Sequence, residues 1–291
     1  MKPTFHCIPC HVNHSYRVVS KLNLTPDSSL RLMQELTRIS MGNFQTPPDC
    51  AHQLYKTISQ LTGIHDPFSD EKKQSNALML ALLPQLHALC SGKQPIRQAL
   101  RIAVAANSID YGIGNQDCDA DFSVQFKTLV DDIEVPDDFY NEFIKAISSS
   151  QKILYIADNA GEIVADKLLM EHLPVEKITC VVRGNPVIND ATMEDAQSIG
   201  LNALVRVITT GDSTPGINLS RCSKEFLYEL SQADMVILKG QGNFETMIDA
   251  PLEGIVKKGV KMFFIFIVKC LPVAWFIHRC LGDSAFILRE I

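Results

Sequence analysis

The sequence predicts an α/β protein in which a Rossmann-like, mostly parallel sheet with helices on both faces follows an all-α N-terminal domain. Residues 1–148 contain apolar residues at helical spacing and no segment that alternates convincingly like a strand. From residue 149 onward, five apolar runs recur at intervals of roughly 25 to 30 residues, which is the length of a βα unit. Continuous apolar runs are typical of strands that are covered on both faces of a parallel sheet.

Four helices are expected in the first half. Their apolar residues recur every three or four positions, and a polar residue or a proline precedes each apolar face, as is common at helix N-termini. The third helix runs to about Cys90, with a kink expected at Pro84. Residues 111–119 contain two glycines and several short polar residues, which predicts a loop. The expected helix starts are Asp27, Pro48, Ser69 and Pro95.

The predicted strands all lie in the second half. The run Ser148-Ser149-Ser150 marks the expected boundary between a helical domain at 1–148 and an α/β domain at 149–291. Amphipathic stretches between the strands predict the helices that cover the sheet. The five strands are expected at 153–157, 178–182, 205–209, 235–238 and 262–268.

The overall composition narrows the functional class. The net charge is −6 and the pI is near 5.7, and no run of Lys or Arg offers phosphates a positive stripe, so no nucleic-acid partner is expected. No membrane segment is expected, because the most apolar run, 262–268, is too short to span a bilayer. Nine scattered cysteines and the lack of an export signal favour the cytoplasm. The sequence is also compatible with a homo-oligomer.

Polar residues follow each predicted strand. The carboxyl ends of parallel strands meet at one edge of the sheet, where ligands bind in open α/β folds, so these residues should converge. Asp158 and Asn159 follow the first strand, and Asp190 follows the second. Two carboxylates and an amide oxygen suit a hard divalent cation, which would be catalytic because positions remain for water and substrate. The alternative is that Asp158 and Asn159 only cap the following helix.

Other polar residues at this edge are candidates for binding substrate. Lys239 follows a buried apolar strand, where an ammonium is costly unless it faces an anion, so we assign it to a substrate phosphate; the alternative is a salt bridge to a loop carboxylate. The loop 209–214 can cradle a phosphate on backbone N–H groups or form an ordinary βα turn. Asn107 and Asp110 either cap a helix end or reach over the sheet edge. The candidate substrate-binding residues are Asn107, Asp110, Glu162, Arg183, Asn185, Gly211, Asp212, Asn243 and Lys269.

The N-terminal run Cys7-Ile8-Pro9-Cys10-His11 matches the pattern of c-type haem attachment, half of a zinc site and a redox-active thiol pair. Haem attachment normally follows export, which nothing in the sequence supports. A structural zinc needs a second ligand pair, to which His6, His11 and His14 can contribute. A redox pair would be expected at a strand-to-helix junction of a βαβ unit, whereas this motif lies at the terminus of the predicted helical half. A structural or packing role is therefore favoured, with zinc as the open alternative.

Four segments of the second half form a combined signature. They are Asp158-Asn159-Ala160-Gly161-Glu162, Arg183-Gly184-Asn185-Pro186-Val187-Ile188-Asn189-Asp190-Ala191-Thr192, Lys239-Gly240-Gln241-Gly242-Asn243-Phe244-Glu245-Thr246 and Lys269-Cys270. Together they resemble the DUF89 family of metal-dependent damage-control phosphatases, most closely its compact archaeal and bacterial branch. That branch also carries an N-terminal CxxC, like Cys7 and Cys10, and an Asn-x-x-Asp segment. One departure is Leu271, which stands where the family often has proline.

The resemblance implies a helical domain beside a Rossmann-like domain, and hydrolysis of small phosphorylated metabolites such as sugar phosphates. It also implies a divalent metal ion: Mn²⁺, Mg²⁺, Co²⁺ or Ni²⁺. Carried over residue by residue, the metal ligands would be Asp158, Asn159 and Asp190, and Lys239 would face the substrate. Either Asp158 or Asp190 would serve as general base.

Two other classes of protein stay open. One is a nucleotide- or S-adenosylmethionine-binding Rossmann enzyme such as a methyltransferase, although the first βα loop has one glycine, Gly161, in place of the G-x-G-x-x-G fingerprint. The other is a non-enzymatic protein whose CxxC motif holds zinc.

Overall fold

Seven helices precede the first strand in the part of the chain that the computed structural model describes, residues 1–108 and 120–291. The predicted loop at 111–119 and the candidate residue Asp110 lie outside the described residues. The helices are α1 (Cys7–Lys21), α2 (Pro26–Ser40), α3 (Pro47–Thr62), α4 (Ser69–Leu89), α5 (Pro95–Ala106), α6 (Ala120–Asp132) and α7 (Asp137–Ser149).

The four predicted helices are confirmed as α2 to α5, with starts that agree to within one residue. Thr25, not Asp27, caps α2: its side chain accepts a hydrogen bond from the backbone N–H of Ser28, and Pro26 occupies the first turn. Thr46 and Asp49 form a capping box at the start of α3. Helices α1, α6 and α7 were not predicted. In α1 the buried side chains are confined to the last two turns, so the apolar pattern is short.

One sheet of six strands follows, in the order β3-β2-β1-β4-β5-β6. All five predicted strands are present and parallel to one another, while β6 was not predicted and pairs antiparallel to β5 at the sheet edge. Only one of its seven residues is fully buried, which explains its weak sequence signal. The strands are β1 (Ile153–Ile156), β2 (Ile178–Val182), β3 (Arg206–Thr209), β4 (Met235–Lys239), β5 (Lys261–Ile267) and β6 (Ser284–Glu290).

Helices cover both faces of this sheet, as predicted. The connecting helices are α8 (Glu162–Glu171), α9 (Met193–Ser198), α10 (Lys224–Gln232), α11 (Gln241–Met247) and α12 (Leu271–Phe276). One apolar cluster joins side chains of α4, α5, α7 and α8 to one face of the sheet, and a second joins α10, α11 and α12 to the other. The helical half therefore shares a core with the sheet. The change from helices to α/β order falls between Ser149 and Ile153, while the independence of the two predicted domains stays a prediction.

A third, smaller apolar cluster holds α1, α2 and α3 together. It includes Val187, from the loop after β2, so these three helices are anchored against the carboxyl edge of the sheet. Strand order reverses between β1 and β4, and such a reversal opens a crevice at that edge. Helices α1 and α3 thus lie next to the place where a ligand is expected. Among the described residues, no helix combines the length and apolar character that crossing a bilayer requires.

Candidate active site

Asp158, Asn159 and Asp190 lie side by side at the carboxyl edge of the sheet, as parallel topology requires. The backbone holds them together: Ala191 N–H donates to Asp158 O at 2.8 Å, and Ala160 N–H donates to Asn189 O at 2.9 Å. All three side chains are buried. Backbone hydrogen bonds at the candidate metal ligands and their chain neighbours therefore connect the loops after β1 and β2.

The turn that carries Asp190 is strained at Ile188, whose φ is +47°. This left-handed conformation is costly for a β-branched residue. The turn is closed by a hydrogen bond of 3.0 Å from Asp190 N–H to Val187 O. Packing of Val187 and Ile188 against α1–α3 helps to hold the turn in this conformation.

Arg183 contacts both Asp190 and Asp158. Its Nε donates to Asp190 Oδ2 at 2.6 Å, and its Nη2 lies 3.7 Å from Asp158 Oδ1. The other guanidinium N–H groups donate to Gly216 O at 3.1 Å and to Asn243 Oδ1 at 3.0 Å. Arg183 and Asn243 are both completely enclosed, so their contacts are with the protein and not with the predicted substrate.

Asn107 joins the helical half to the site. Its Nδ2 donates to Asp158 Oδ2 at 3.2 Å and to Glu162 Oε2 at 2.8 Å, while its Oδ1 accepts a hydrogen bond of 2.9 Å from Ile267 N–H. These contacts match the alternative in which Asn107 reaches over the sheet edge. Because Asn107 is almost completely buried, it orients a candidate ligand and does not line the substrate space.

Lys239 does not point into the substrate space, and this corrects its predicted contact with phosphate. Its ammonium donates to Ala103 O at 2.9 Å, Glu162 Oε1 at 2.6 Å and Asp166 Oδ1 at 2.7 Å. The side chain has no exposed surface, and these three bonds use all three donors of the ammonium. The salt-bridge alternative is the one that fits. Tyr155 completes the network by donating to Asp166 Oδ1 at 2.7 Å.

Asp166 was not predicted as a site residue, although the sequence around it carried a signal. Asp166 follows Glu162 by four residues, so the two acids share one face of α8, and the residues between and after them are mostly apolar. An acid in such a helix needs a partner. Burial raises the pKa of Asp166 to about 6, even though the charge of Lys239 opposes that shift.

Burial and mutual repulsion dominate the electrostatics of the site. Burial raises the pKa of Asp158 well above its ordinary value, and the charges of Glu162 and Asp190 raise it further. Burial also raises the pKa of Asp190, against the opposing effect of Arg183. Two buried cations contact these acids: Arg183 pairs with Asp158 and Asp190, and Lys239 pairs with Glu162 and Asp166. The acidic side chains of the cluster therefore outnumber the cations that contact them.

A cavity of about 330 Å³ opens between this acidic cluster and helices α1 and α3. Asp158, Asn159, Asp190 and Lys269 are the predicted site residues that line it. The cavity wall opposite these residues was not predicted, because the cavity forms only when α1 packs over the sheet edge. That wall and the adjoining rim include His6, Cys7, Cys10, His11, His14, Arg17, Gln241, Glu245 and Cys270.

The predicted residues of the β3 loop lie away from this cavity. Although burial opposes the shift, the bond from Thr214 and the charges of His52 and Arg221 hold the pKa of Asp212 below its ordinary value. Arg221 Nε lies 3.2 Å from Asp212 Oδ2. Gly211 packs against Ser223, and Asn185 is exposed. The loop after β3 therefore joins the sheet to α3. Neither Gly211 and Asp212 of this loop nor Asn185 of the loop after β2 lines the cavity, so these three predicted residues do not cradle a phosphate there.

Gly240 allows the loop after β4 to approach Asp158. Its φ is +80°, and a Cβ atom at this position would overlap the Asp158 carboxylate. Gly254 has the same φ of +80° but nothing within 4 Å of its Cβ position, so it is a control for positive φ alone. We expect Gly254→Ala to lower the free energy of unfolding only by the cost of positive φ, about 1–2 kcal/mol. Gly240→Ala should lose about 1–3 kcal/mol more, because the carboxylate must move and because the ψ of 157° at Gly240 belongs to a region that is nearly confined to glycine.

Urea unfolding of both glycine variants measures this difference. Equal losses of unfolding free energy would contradict the close packing of Gly240 on Asp158.

Glu245, which lines the cavity, should make the stability of the protein depend on pH. Burial raises its pKa to about 7, although the amino terminus of the chain and a hydrogen bond from Gln241 lower it. Between its unfolded pKa, near 4.3, and pH 7 the folded state binds more protons, so stability should fall as the pH rises through this window. The free energy of unfolding should therefore change with pH by up to about 3 kcal/mol more in the wild type than in Glu245→Gln. Urea unfolding of both proteins at pH 5 and pH 8 tests this; parallel changes in the two proteins would exclude it.

Fold and site together define an α/β protein with an acidic pocket at the carboxyl edge of its sheet, enclosed by N-terminal helices. The chain belongs to the family described as the damage-control phosphatase ARMT1-like domain, which it matches over residues 4–285. It is 30% identical to a damage-control phosphatase of Archaeoglobus fulgidus, across 97% of this chain and 98% of that protein. A damage-control phosphatase of Pyrococcus horikoshii is 29% identical across 94% of this chain and 93% of its own.

The fold is also that of a solved member of the family. A crystal structure of a DUF89 family protein from Pyrococcus horikoshii superimposes with a TM-score of 0.88, covering 100% of both chains at 26% sequence identity. The predicted fold class and the predicted family are therefore confirmed.

Proposed function

We propose that this protein is a metal-dependent phosphatase that hydrolyses small phosphorylated metabolites in the cavity beneath α1 and α3. The proposal rests on one observation above all: Asp158, Asn159 and Asp190 converge from two loops into a buried cluster in which acidic side chains outnumber the cations that contact them. Membership of a family whose relatives are named damage-control phosphatases supports the reaction class. The phosphomonoester specificity and the metal ligands are our inference.

The chemistry of the donor set fits a hard divalent cation. The Asn159 Nδ2 donates to Asp158 Oδ2 at 2.7 Å and to Glu162 Oε2 at 3.2 Å, so its amide oxygen faces away from these carboxylates. Among the described residues, no three His, Cys, Asp or Glu side chains are grouped to hold a metal ion, so the site depends on this amide oxygen as well as on Asp158 and Asp190. Oxygen ligands of this kind suit Mg²⁺ or Mn²⁺, and Co²⁺ and Ni²⁺ are the other candidates that we propose.

The residues around the cation have separable tasks. A bound cation supplies Lewis acidity, which polarises a phosphoryl oxygen and makes a water molecule more acidic. Lys269 lines the same cavity, and its charge would offset that of the substrate phosphate. Asp158 or Asp190 accepts the proton of the attacking water. Arg183 and Asn107 hold the two aspartates in place through the contacts described above. Lys239 acts one step further away, because it binds Glu162, which accepts hydrogen bonds from Asn107 and Asn159.

Release of phosphate from a panel of phosphorylated metabolites, assayed with each of the four cations, tests reaction, cofactor and substrate class together. We expect activity on sugar phosphates that disappears with a chelator and returns with one or more of the cations. Absence of phosphate release with every cation, together with binding of NAD or S-adenosylmethionine without metal, would favour the Rossmann-enzyme alternative instead.

A further inference from the structure

Two thiols stand at the N-terminus of α1, on the wall of the cavity that faces the acidic cluster. Cys7 is the first residue of this helix, and Cys10 follows one turn later. Helix geometry places Cα atoms three positions apart at about 5 Å. That separation lies within the range of roughly 4.4–6.8 Å found in disulfides, so the two thiols can be joined with little movement of the backbone.

The surroundings of Cys7 favour a reactive sulfur. The backbone N–H of Thr4 donates to Cys7 Sγ at 3.4 Å, and the Thr4 hydroxyl lies 3.9 Å from the same sulfur. The helix N-terminus adds partial positive charge. Hydrogen bonds and helix N-termini stabilise thiolates, which are the nucleophilic form of cysteine. Cys7 is also partly accessible.

Cys10 differs from its neighbour. It lies at the rim of the cavity, exposed on one side and surrounded by protein atoms on the other. This partial burial raises the pKa of Cys10, and the charge of Cys7 raises it further. A partly accessible thiol with a second thiol one helical turn away is the arrangement that a dithiol needs for stepwise oxidation, because the second sulfur can displace the oxygen taken up by the first.

We propose that Cys7 and Cys10 form a redox-active dithiol site at the mouth of the cavity, oxidised by hydroperoxides and reduced by dithiols. The Cys7 thiolate attacks the peroxide ROOH and takes one oxygen, which gives a sulfenic acid and, after protonation, ROH. The Cys10 sulfur then displaces that oxygen as water, and the disulfide forms. A dithiol returns both thiols and becomes a disulfide itself. This site goes beyond the proposed phosphatase activity and does not depend on it.

The test follows the thiols and not the enzyme activity. Trypsin should release residues 1–17 as one peptide, since Pro3 protects Lys2, and its only cysteines are Cys7 and Cys10. After brief treatment of the reduced full-length protein with hydrogen peroxide, N-ethylmaleimide should no longer label this peptide, whose mass should correspond to one disulfide. Dithiothreitol should restore both labels. Cys280, which is exposed, follows α12 in the chain and does not line the cavity, is the internal control and should stay labelled.

Single variants separate the two roles. In Cys10→Ser, peroxide should leave Cys7 as a sulfenic acid that dimedone traps. In Cys7→Ser, dimedone should label Cys10 no faster than Cys280. Oxidation of the pair no faster than that of Cys280 would overturn the proposal, as would a disulfide from Cys10 to its neighbour Cys270 or from Cys7 to its neighbour Cys50. Stoichiometric zinc released from the purified protein by thiol reagents would also overturn it, in favour of a zinc site.

Discussion

Asp158→Asn is expected to abolish metal-dependent phosphate release and to leave the protein folded. The substitution keeps the size of the side chain and its hydrogen-bond acceptor but removes one of the two proposed anionic ligands. Loss of electrostatic stabilisation at a transition state commonly costs on the order of 10³-fold in rate, and loss of a metal ligand should cost at least that much. Because burial, and then the charges of Glu162 and Asp190, raise the pKa of Asp158, removing its charge should not lower the Tm of the metal-free protein.

Two measurements on the same samples check this result. One is phosphate release at saturating cation, and the other is the rise in Tm when the cation is added, since binding to the folded state alone stabilises it. The wild type should show both, and Asp158→Asn should show neither. Glu194→Gln is the control: its side chain is 77% exposed on α9, away from the cavity. Undiminished activity in Asp158→Asn would remove this residue from the metal site.

Lys239→Met is expected to have the largest effect on stability. Burial alone would lower the pKa of Lys239, but the charges and hydrogen bonds of Asp166 and Glu162 outweigh it and raise the pKa above its ordinary value. Removing the ammonium leaves two completely buried carboxylates without their cation. Breaking a buried pair in this way costs about 3–5 kcal/mol, enough to unfold a marginally stable protein.

Neutralising the partners should reverse most of that loss. We expect the triple variant Lys239→Met, Glu162→Gln, Asp166→Asn to recover much of the unfolding free energy, because no uncompensated charge then remains buried. Lys257→Met is the control, since Lys257 forms an ion pair of 2.6 Å with Asp234 at a partly exposed position. This substitution should lower the free energy of unfolding by less than about 1 kcal/mol. If Lys239→Met stays as stable as that control but loses activity, Lys239 acts on substrate and the salt-bridge interpretation is wrong.

Local pattern was sufficient for most of the fold. Strands β1, β2, β4 and β5 consist largely of buried apolar residues because both faces of a parallel sheet are covered, and this composition is visible without any knowledge of tertiary contacts. Strand β3 is less apolar and only partly buried, and it was recognised mainly by its position in the βα repeat. Helices α2 to α5 have an apolar face and a start signal within the segment itself. Strand β6 and helix α1 lack such patterns. They are stabilised by what they pack against, β5 in one case and α2 with α3 in the other.

The sequence predicted those parts of the site whose position depends only on the topology of the sheet. Residues that directly follow parallel strands must meet at one edge, which brings Asp158 and Asn159 to Asp190. Side-chain direction is a different matter. The position of Lys239 at the end of β4 is compatible with a contact to phosphate or to protein, and only the presence of Glu162 and Asp166 on the neighbouring helix distinguishes the two.

The sequence by itself determined the α/β class, five of the six strands, the family resemblance and the convergence of the three proposed metal ligands, because each depends on the order and character of residues along the chain. Only the tertiary structure decided that Lys239 is enclosed by carboxylates, that the loop of Asp212 binds α3, and that Cys7 and Cys10 lie across the cavity from Asp158. These arrangements depend on how α1, α3 and α8 pack against the sheet. Packing between distant segments is set by the shapes and charges of the whole fold, which no local pattern contains.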